Sequence, residues 1–524
     1  MQPRMTQFPF GDPDGSKLNF DQILDVFVEF DAAKFGAGVA LRPNDLSTRV
    51  IVGAKGSGKT VYLRRMADTA TRNEAVHTTD WEIESPTTAN VLTFCDRFHA
   101  SLVVEMWMEL WYCAIVSSLA THVLFDNKLR SRLEGTAIDG ISGLVVEFLP
   151  FQTPVSPYDL AKHFIVNHHS DIAFRRFFNH PRWPQLEYWL GQQISTLPPV
   201  YFFLDSVDER YENAPIQWMQ AQLGLFYRVM QLVRDARLGG RLHVVITIRD
   251  QVMAAVFRGE HQTRYRGEPH IKILDWGRAS IRHLLTSKID RLDEAYLMSP
   301  RKSNATSIER WLGMQTIRNN GRDITEDLID YIVRHTRHSP RDIVLIGNKL
   351  AQTTLSCKAT GRELSQEQIR TIVSQEAKAF GDEQIEMCAT QIASSTMPTS
   401  AIQKGYESNY LGPKSVYGSR ISDLIQQIIR KIGKDRFEWK ELDEVTRSTL
   451  NSTDYLPEHV FTALWQYRLI GYRDRRTETG QEIFFSADFL DEFRLPVERE
   501  EYVFHPILID SLAIKAVGHT PPKG

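Results

Sequence analysis

Val50-Ile51-Val52-Gly53-Ala54-Lys55-Gly56-Ser57-Gly58-Lys59-Thr60 is a run of β-branched residues that breaks into a glycine-rich turn ending in Lys-Thr. The apolar run predicts a buried strand. Gly56 and Gly58 supply the backbone torsions that turn successive N–H groups inward as an anion cradle. A helix starting near Gly58 adds the positive end of its dipole; Lys59 is placed to reach the β and γ phosphates of a nucleotide, and the Thr60 hydroxyl to ligate Mg²⁺. The spacing from Gly53 to Thr60 fits G-x-x-x-x-G-K-[ST], and Val61-Tyr62-Leu63-Arg64-Arg65-Met66 continues as an amphipathic segment. Gly53, Ala54, Lys55, Gly56, Ser57, Gly58, Lys59, Thr60 and Val61 are therefore the expected phosphate-binding set.

Outward from that turn, short apolar strands alternate with amphipathic helices between Thr48 and Leu274, the signature of an α/β fold with a parallel sheet covered on both faces. The expected strands are Val50–Val52, Val91–Phe94, Val200–Leu204, Leu242–Ile248 and Ile271–Leu274. A long helical insertion, about 100–197, separates the second from the third and includes Leu102–Phe125 and Pro184–Leu197. Residues 1–45 form an N-terminal segment with a helix expected over Leu18–Phe35, and 46–278 form the sheet domain. Residues 279–390 read as a nearly all-helical lid, 391–418 as a polar linker, and 419–524 as a further unit with a docked, apolar tail.

The chain has 524 residues and a formal net charge of -3, enough length for roughly two to four domains and too little positive charge for a polybasic nucleic-acid binder. Cys95, Cys113, Cys357 and Cys388 lie far apart, which argues for reduced thiols rather than a disulfide framework or metal site. No apolar run follows Met1-Gln2-Pro3-Arg4, so a cytoplasmic location is expected. The uncharged stretch Leu110–Phe125 is shorter than a membrane span needs and reads as a buried core helix, and no membrane partner is expected. Trp107, Trp111 and their methionine neighbours belong to the same apolar run and read as core.

A phosphate loop needs acidic partners. Val200-Tyr201-Phe202-Phe203-Leu204-Asp205-Ser206-Val207-Asp208-Glu209 is a buried strand emerging into acids at the carboxyl edge of the sheet. Asp205 is the expected magnesium-shell residue; Glu209 is the first choice for polarising the attacking water, with Asp208 close behind. The strand Leu242–Ile248 is expected beside the acidic one and ends on Arg249, read either as a sensor of the γ-phosphate or as a structural arginine paired with Asp205 or Asp250.

The turn Gly53–Thr60, the acidic strand end Leu204–Glu209 and the Thr247-Ile248-Arg249 strand end together resemble the STAND branch of AAA+-related P-loop ATPases. Ile271-Lys272-Ile273-Leu274-Asp275-Trp276 is similar to the strand-to-lid transition of those proteins, and Ser339-Pro340-Arg341-Asp342 to their proline-containing lid motif and sensor arginine. The resemblance implies a P-loop NTPase sheet with a helical lid, ATP rather than GTP, Mg²⁺, and Arg341 as a second phosphate sensor; an ordinary proline helix start is the other reading of that motif. It further implies a nucleotide-controlled switch that is closed with ADP and self-associates with ATP. No effector motif or sensing repeat is evident, so a separate protein partner, sensor or effector, is expected.

Leu424–Ile432, Trp439–Val445 and Pro457–Leu469 predict three helices, followed by a hairpin over 470–485, which looks like a winged helix. Arg473, Arg475 and Arg476 on the wing offer phosphate contacts to DNA. The second helix is nevertheless acidic at Glu441, Asp443 and Glu444, and in STAND proteins this unit contacts the nucleotide instead, so both readings stand. Arg210, Arg258, Arg264 and Arg266 are equal candidates for an arginine finger. His168, His169, His335 and His338 read as packing or solvated rather than metal-ligating.

Overall fold

The computed structural model describes residues 8–15, 48–72, 76–79, 104–145, 149–168, 171–205, 217–235, 237–238, 240–257, 262–265, 267–299, 304–319, 324–396, 416–451, 453, 455–474, 481–485, 494–497 and 499–517. Strands β1 (Val50–Gly53), β2 (Val76–Thr79), β3 (Val200–Leu204), β4 (Leu242–Ile248) and β5 (Ile271–Leu274) form one parallel sheet in the order β2-β3-β4-β1-β5. Four of the five lie where the apolar runs put them. The edge strand does not: the polar tetrad Val76-His77-Thr78-Thr79 pairs with β3, whereas Val91–Phe94 lies outside the described residues.

Alternation along the strands sorts the sheet's side chains into two cores. On one face Ile51, Tyr201, Phe203 and Val245 join α1 (Lys59–Arg72), and this core runs on without interruption through the lid and the C-terminal unit. On the other face Val50, Val52, Val200, Phe202, Val244 and Ile246 meet the helical insertion, including α2 (Val104–Phe125), and α3 (Gln217–Arg234), which follows β3. Helix α2 is long and apolar enough to cross a membrane, but most of it is buried against the sheet and its neighbouring helices. Its approach to α3 is close because Gly224 has no side chain: a Cβ there would lie 2.4 Å from Trp107 Cβ. The Trp111 indole donates to the Ala221 carbonyl at 3.0 Å across the same contact.

Helix α4 (Arg278–Asp290) opens the lid, which continues through α5 (Leu328–Arg334), α6 (Pro340–Ala359) and α7 (Gln366–Thr396). The nearly all-helical stretch also holds two short strands, Thr316–Asn319 (β6) and Ile324–Asp327 (β7), which pair antiparallel. Within the stretch read as a linker, α7 runs through Gln391 to Thr396 and α8 (Val416–Ile432) begins before residue 419; residues 397–415 lie outside the described residues. Within the N-terminal segment, Phe10 packs into the notch left by Gly347, and Asn348 bonds the Phe10 N–H and the Gly11 carbonyl at 2.8 and 3.0 Å. The expected helix Leu18–Phe35 lies outside the described residues.

The C-terminal unit contains α8, β8 (Arg436–Phe437), α9 (Trp439–Leu450), α10 (Pro457–Gln466) and the hairpin β9 (Ile470–Asp474) and β10 (Gln481–Phe484). The tail supplies β11 (Tyr502–Phe504), which inserts between β9 and β8 to make a four-stranded antiparallel sheet, and then α11 (Ile507–Leu512). Helix α10 ends earlier than expected, at Gln466, because Arg468 adopts a left-handed φ of 58°. Helix α7 packs against α8, α10 and α11, so this unit is built onto the lid's last helix.

Candidate functional site

The glycine-rich turn leaves the carboxyl end of β1, and α1 starts at Lys59, so the first N–H groups of that helix face the turn. Strand β1 is flanked by β4 and β5: the connection from β1 leads to the far edge at β2, whereas that from β4 crosses over to the opposite edge at β5. The crevice between β1 and β4 is thus a topological switch point, where α/β sheets bind ligands. Ala54, Lys55 and Ser57 of the turn share this crevice with Arg249, Asp250 and Gln251 after β4, with Leu274 at the end of β5 and with Trp276 just beyond it.

Gly56 and Gly58 have φ of +82° and +89°, the left-handed region that side-chain-bearing residues avoid. The turn's carbonyls are occupied. Lys59 Nζ donates to the Gly53 and Ala54 carbonyls at 2.9 and 3.0 Å. The Ser339 hydroxyl donates to the Gly56 carbonyl at 2.9 Å, the Arg341 N–H reaches the same oxygen at 3.3 Å, and Trp276 Nε1 donates to the Ser57 carbonyl at 2.8 Å. The Ser57 hydroxyl is buried without a hydrogen-bond partner among the described residues. A Cβ at Gly53 would lie 2.3 Å from it. This set is compatible with an anion: the Gly56 and Ser57 carbonyls are held by donors from outside the turn, and a buried hydroxyl is unspent.

Asp205 is 6% exposed at the end of β3 and accepts from the Thr247 hydroxyl at 2.5 Å, which fixes the carboxylate's rotation. Thr60 stands in the first turn of α1, followed by Val61, whose methyl lies against Gly15. These two oxygen-bearing side chains are the ones that could hold a magnesium ion, a hard cation that takes oxygen ligands. Asp208 and Glu209 lie outside the described residues, as do Arg210, Arg258, Arg266, Arg475, Arg476 and His169. Arg249 caps a short helix, its N–H donating to Gln222 Oε1 at 3.0 Å, while Asp250 pairs with a different arginine. Arg341 begins α6 with its side chain against Gly56. Arg264 is exposed on a short helix, away from the residues lining the crevice.

Sequence reasoning places Ser339 within the lid motif and reads His338 as packing or solvated, but gives none of the residues that close the crevice from the other side a closing role. Arg337, His338 and Ser339 of the lid and Gln466, Tyr467 and Arg468 of the C-terminal unit line it, leaving about 30 Å³, room for about one or two water molecules. Arg468 lies within 3.4 Å of both Asp250 and Asp275, and the Tyr467 carbonyl accepts from Gln384 at 2.8 Å. Lys55 pairs with Glu383 of α7 at 3.2 Å; Glu383 also holds Arg337 at 2.9 Å, which pairs in turn with Asp342 at 2.7 Å. Partial burial pushes the Glu383 carboxyl up, but Arg337 and then Lys55 outweigh it and bring it down to about 2. Burial, aided by Arg468 and Arg278, pushes the His338 imidazole down to about 4, and burial drives His505 of the tail well below its ordinary value. His338 and Arg468 are two of the three non-glycine residues with positive φ among the described residues, and both line this one crevice. Held strain of this kind collects at sites and switches.

No protein-family model matches the sequence, and no curated protein is significantly similar to it.

Proposed function

We propose that this chain is an ATP-binding and slowly hydrolysing molecular switch of the STAND/AAA+ P-loop type, with a helical lid and a C-terminal winged helix. The observation that carries the reading is the crevice at the switch point of the sheet. A G-x-x-x-x-G-K-T turn opens there with its Gly56 and Ser57 carbonyls held from outside, and on the far side of β4 the strand β3 ends on Asp205, held by Thr247 of β4. In this reading Lys59 exchanges the Gly53 and Ala54 carbonyls for phosphate oxygens, and Thr60 with Asp205 holds Mg²⁺, which supplies charge neutralisation when bound. Glu209, with Asp208 as the alternative, orients water, and Arg249 and Arg341 sense the terminal phosphate.

Closure by Arg337–Ser339 and Gln466–Arg468 supports a resting, closed form in which the C-terminal unit contacts the nucleotide domain. Contact with DNA is less well supported: Trp465 and Tyr467, at the end of the third helix, are buried, and Arg473 faces Glu501 at 3.5 Å. Opening of the crevice by a separate sensor or effector protein, followed by ATP-driven self-association, completes the proposed cycle.

The test is a calorimetric titration with ATP-Mg²⁺. Lys59→Ala is expected to weaken binding by roughly a hundredfold, the loss of a charge-assisted donor. Unchanged affinity would remove the site assignment. Glu209→Gln is expected to bind ATP normally, fail to turn it over and increase in light-scattering mass.

A further inference from the structure

An anion cradle requires its peptide N–H groups to point at the ligand, and a peptide unit is planar and trans, so its C=O and N–H point in opposite directions. Whatever holds a carbonyl outward therefore aims the next residue's N–H inward. In this turn Trp276 Nε1 holds the Ser57 carbonyl, which directs the Gly58 N–H away from Trp276. The Ser339 hydroxyl and the Arg341 N–H hold the Gly56 carbonyl, which directs the Ser57 N–H back toward Ala54; that N–H closes the turn on the Ala54 oxygen at 3.2 Å rather than facing an anion, so Ser339 sets the shape of the turn and Trp276 the aim of its next donor.

Both peptides need such restraint. They adjoin Gly56 and Gly58, whose permissive φ makes rotation of a peptide plane inexpensive. A rotated Ser57–Gly58 unit would face an anion with an oxygen instead of a donor. The Lys59 bonds to Gly53 and Ala54 are a different case, because they come from within the motif and a polyphosphate competes for the same ammonium. The bonds from Trp276 and Ser339 come from the end of β5 and the start of α6, 219 and 283 residues away in sequence, and no ligand contests them. Both donor residues are buried, at 5% exposure each.

We propose that Trp276 and Ser339 are positioning residues for the phosphate site: from outside the turn they fix the orientation of its peptides, so the cradle is complete only while the lid is seated. This rests on the nucleotide reading above. Through Ser339 the position of α6 is transmitted to the turn, and lifting the lid frees the Gly56 carbonyl and loosens the phosphates.

The test compares wild type, Trp276→Phe, Ser339→Ala and Ser339→Thr by titration with ATP-Mg²⁺ and with inorganic triphosphate, alongside thermal unfolding. Trp276→Phe keeps most of the ring's bulk and removes the donor; Ser339→Thr keeps the hydroxyl. Trp276→Phe and Ser339→Ala are each expected to weaken both ligands by the same factor, about threefold to tenfold, the value of one hydrogen bond, with Ser339→Thr restoring wild-type binding. Equal weakening of the base-free ligand places the effect on the phosphates rather than the base; because a general loosening of the fold would also weaken both ligands by one factor, an unchanged unfolding temperature is required beside it. If wild type binds both ligands and Trp276→Phe and Ser339→Ala bind them equally well, the positioning role is overturned while the site stands. If wild type binds neither, the nucleotide reading itself fails. Should Trp276→Phe not fold, the Ser339 pair decides alone.

Discussion

The two faces of the parallel sheet are covered in opposite ways. On one face the helical insertion meets the sheet through an apolar core and a helix crossing in which Gly224 admits Trp107. On the other face an apolar core is also present, but the crevice above it is closed by polar contacts: Lys55 with Glu383, Arg468 with Asp250 and Asp275, and Ser339 with the Gly56 carbonyl. Apolar interdigitation is costly to undo in part, because a gap forfeits dispersion and leaves a cavity. The one-third-exposed Lys55–Glu383 pair exchanges with water or with an anionic ligand at little net cost, whereas parting Arg468 from the buried Asp250 costs more unless a ligand or water replaces it. On the proposed switch reading, the first face is a fixed support and the second is the face that opens.

The largest expected effect breaks the fixed face. Gly224→Leu places a side chain where Trp107 Cβ already stands 2.4 Å from a Cβ, with Trp107 and Met108 backbone atoms at 2.9 and 3.0 Å. Backbone cannot swing aside. Overpacking of this kind costs at least roughly 3 kcal/mol, against about 1 kcal/mol gained from removing a helical glycine. Chemical denaturation should show the loss, while nucleotide affinity per folded molecule stays unchanged. A parallel fall in affinity would show that the two faces are not independent.

Acid should act on the opening face. His338 and His505 are held below the ordinary imidazole value, so unfolded or opened chains bind protons that the closed form refuses. Their contribution is complete above about pH 6.5 and is lost as pH falls toward the folded value, about 4 for His338. At pH 5 this amounts to about 2 kcal/mol for His338 if opening exposes it fully. Hydrogen exchange at pH 7 and pH 5, corrected for intrinsic rates, should show 335–342 and 502–512 losing protection before 104–125. His122 on α2 is also held low by burial, so simultaneous loss at both faces would place the acid response in the fold as a whole.

How far the sequence reveals this contrast depends on the distance over which each feature is set. Strands β1, β3, β4 and β5 are continuous apolar runs and the turn's glycines sit beside them, so local pattern suffices. Strand β2 is short and polar, β6 and β7 lie within a stretch dominated by helical spacing, and β8 has two residues, too few for a period to show. Strand β11 is separated from the hairpin it joins by residues 485–501, and only tertiary pairing defines it. Of the site, the motif residues Gly53–Thr60 and Asp205 were legible because chemistry and spacing coincide in one stretch. Trp276 and Ser339 stood inside motifs singled out by resemblance, but their bonds to the turn were not legible, and neither were Glu383 and Arg468, because each acts on residues far away in sequence. Nothing adjacent to Arg468 in sequence announces a left-handed residue after a helix.

The smallest expected effect is the most diagnostic for the opening face. Glu383→Gln removes the charge that holds Lys55 but leaves Arg337 paired with Asp342, so the lid keeps its internal anchor. Lys55 and Glu383 are each about one-third exposed, at 33% and 34%, so solvent screens that pair, but the substitution also gives up the charge facing the buried Arg337, and stability should fall by roughly 1–2 kcal/mol. Affinity should move the other way. A Lys55 that no longer has a carboxylate partner is available to an anion in the turn, and ATP binding should tighten by up to about fivefold, the same order of free energy. Raising the salt concentration should produce the same tightening, relative to Glu383→Gln, in the wild type alone, because only the wild type has the pair to screen. A Glu383→Gln protein that is less stable and also binds ATP more weakly would mean that the pair supports the closed cradle rather than competing with the ligand, and the opening face would then have to be divided into contacts that assist binding and contacts that oppose it.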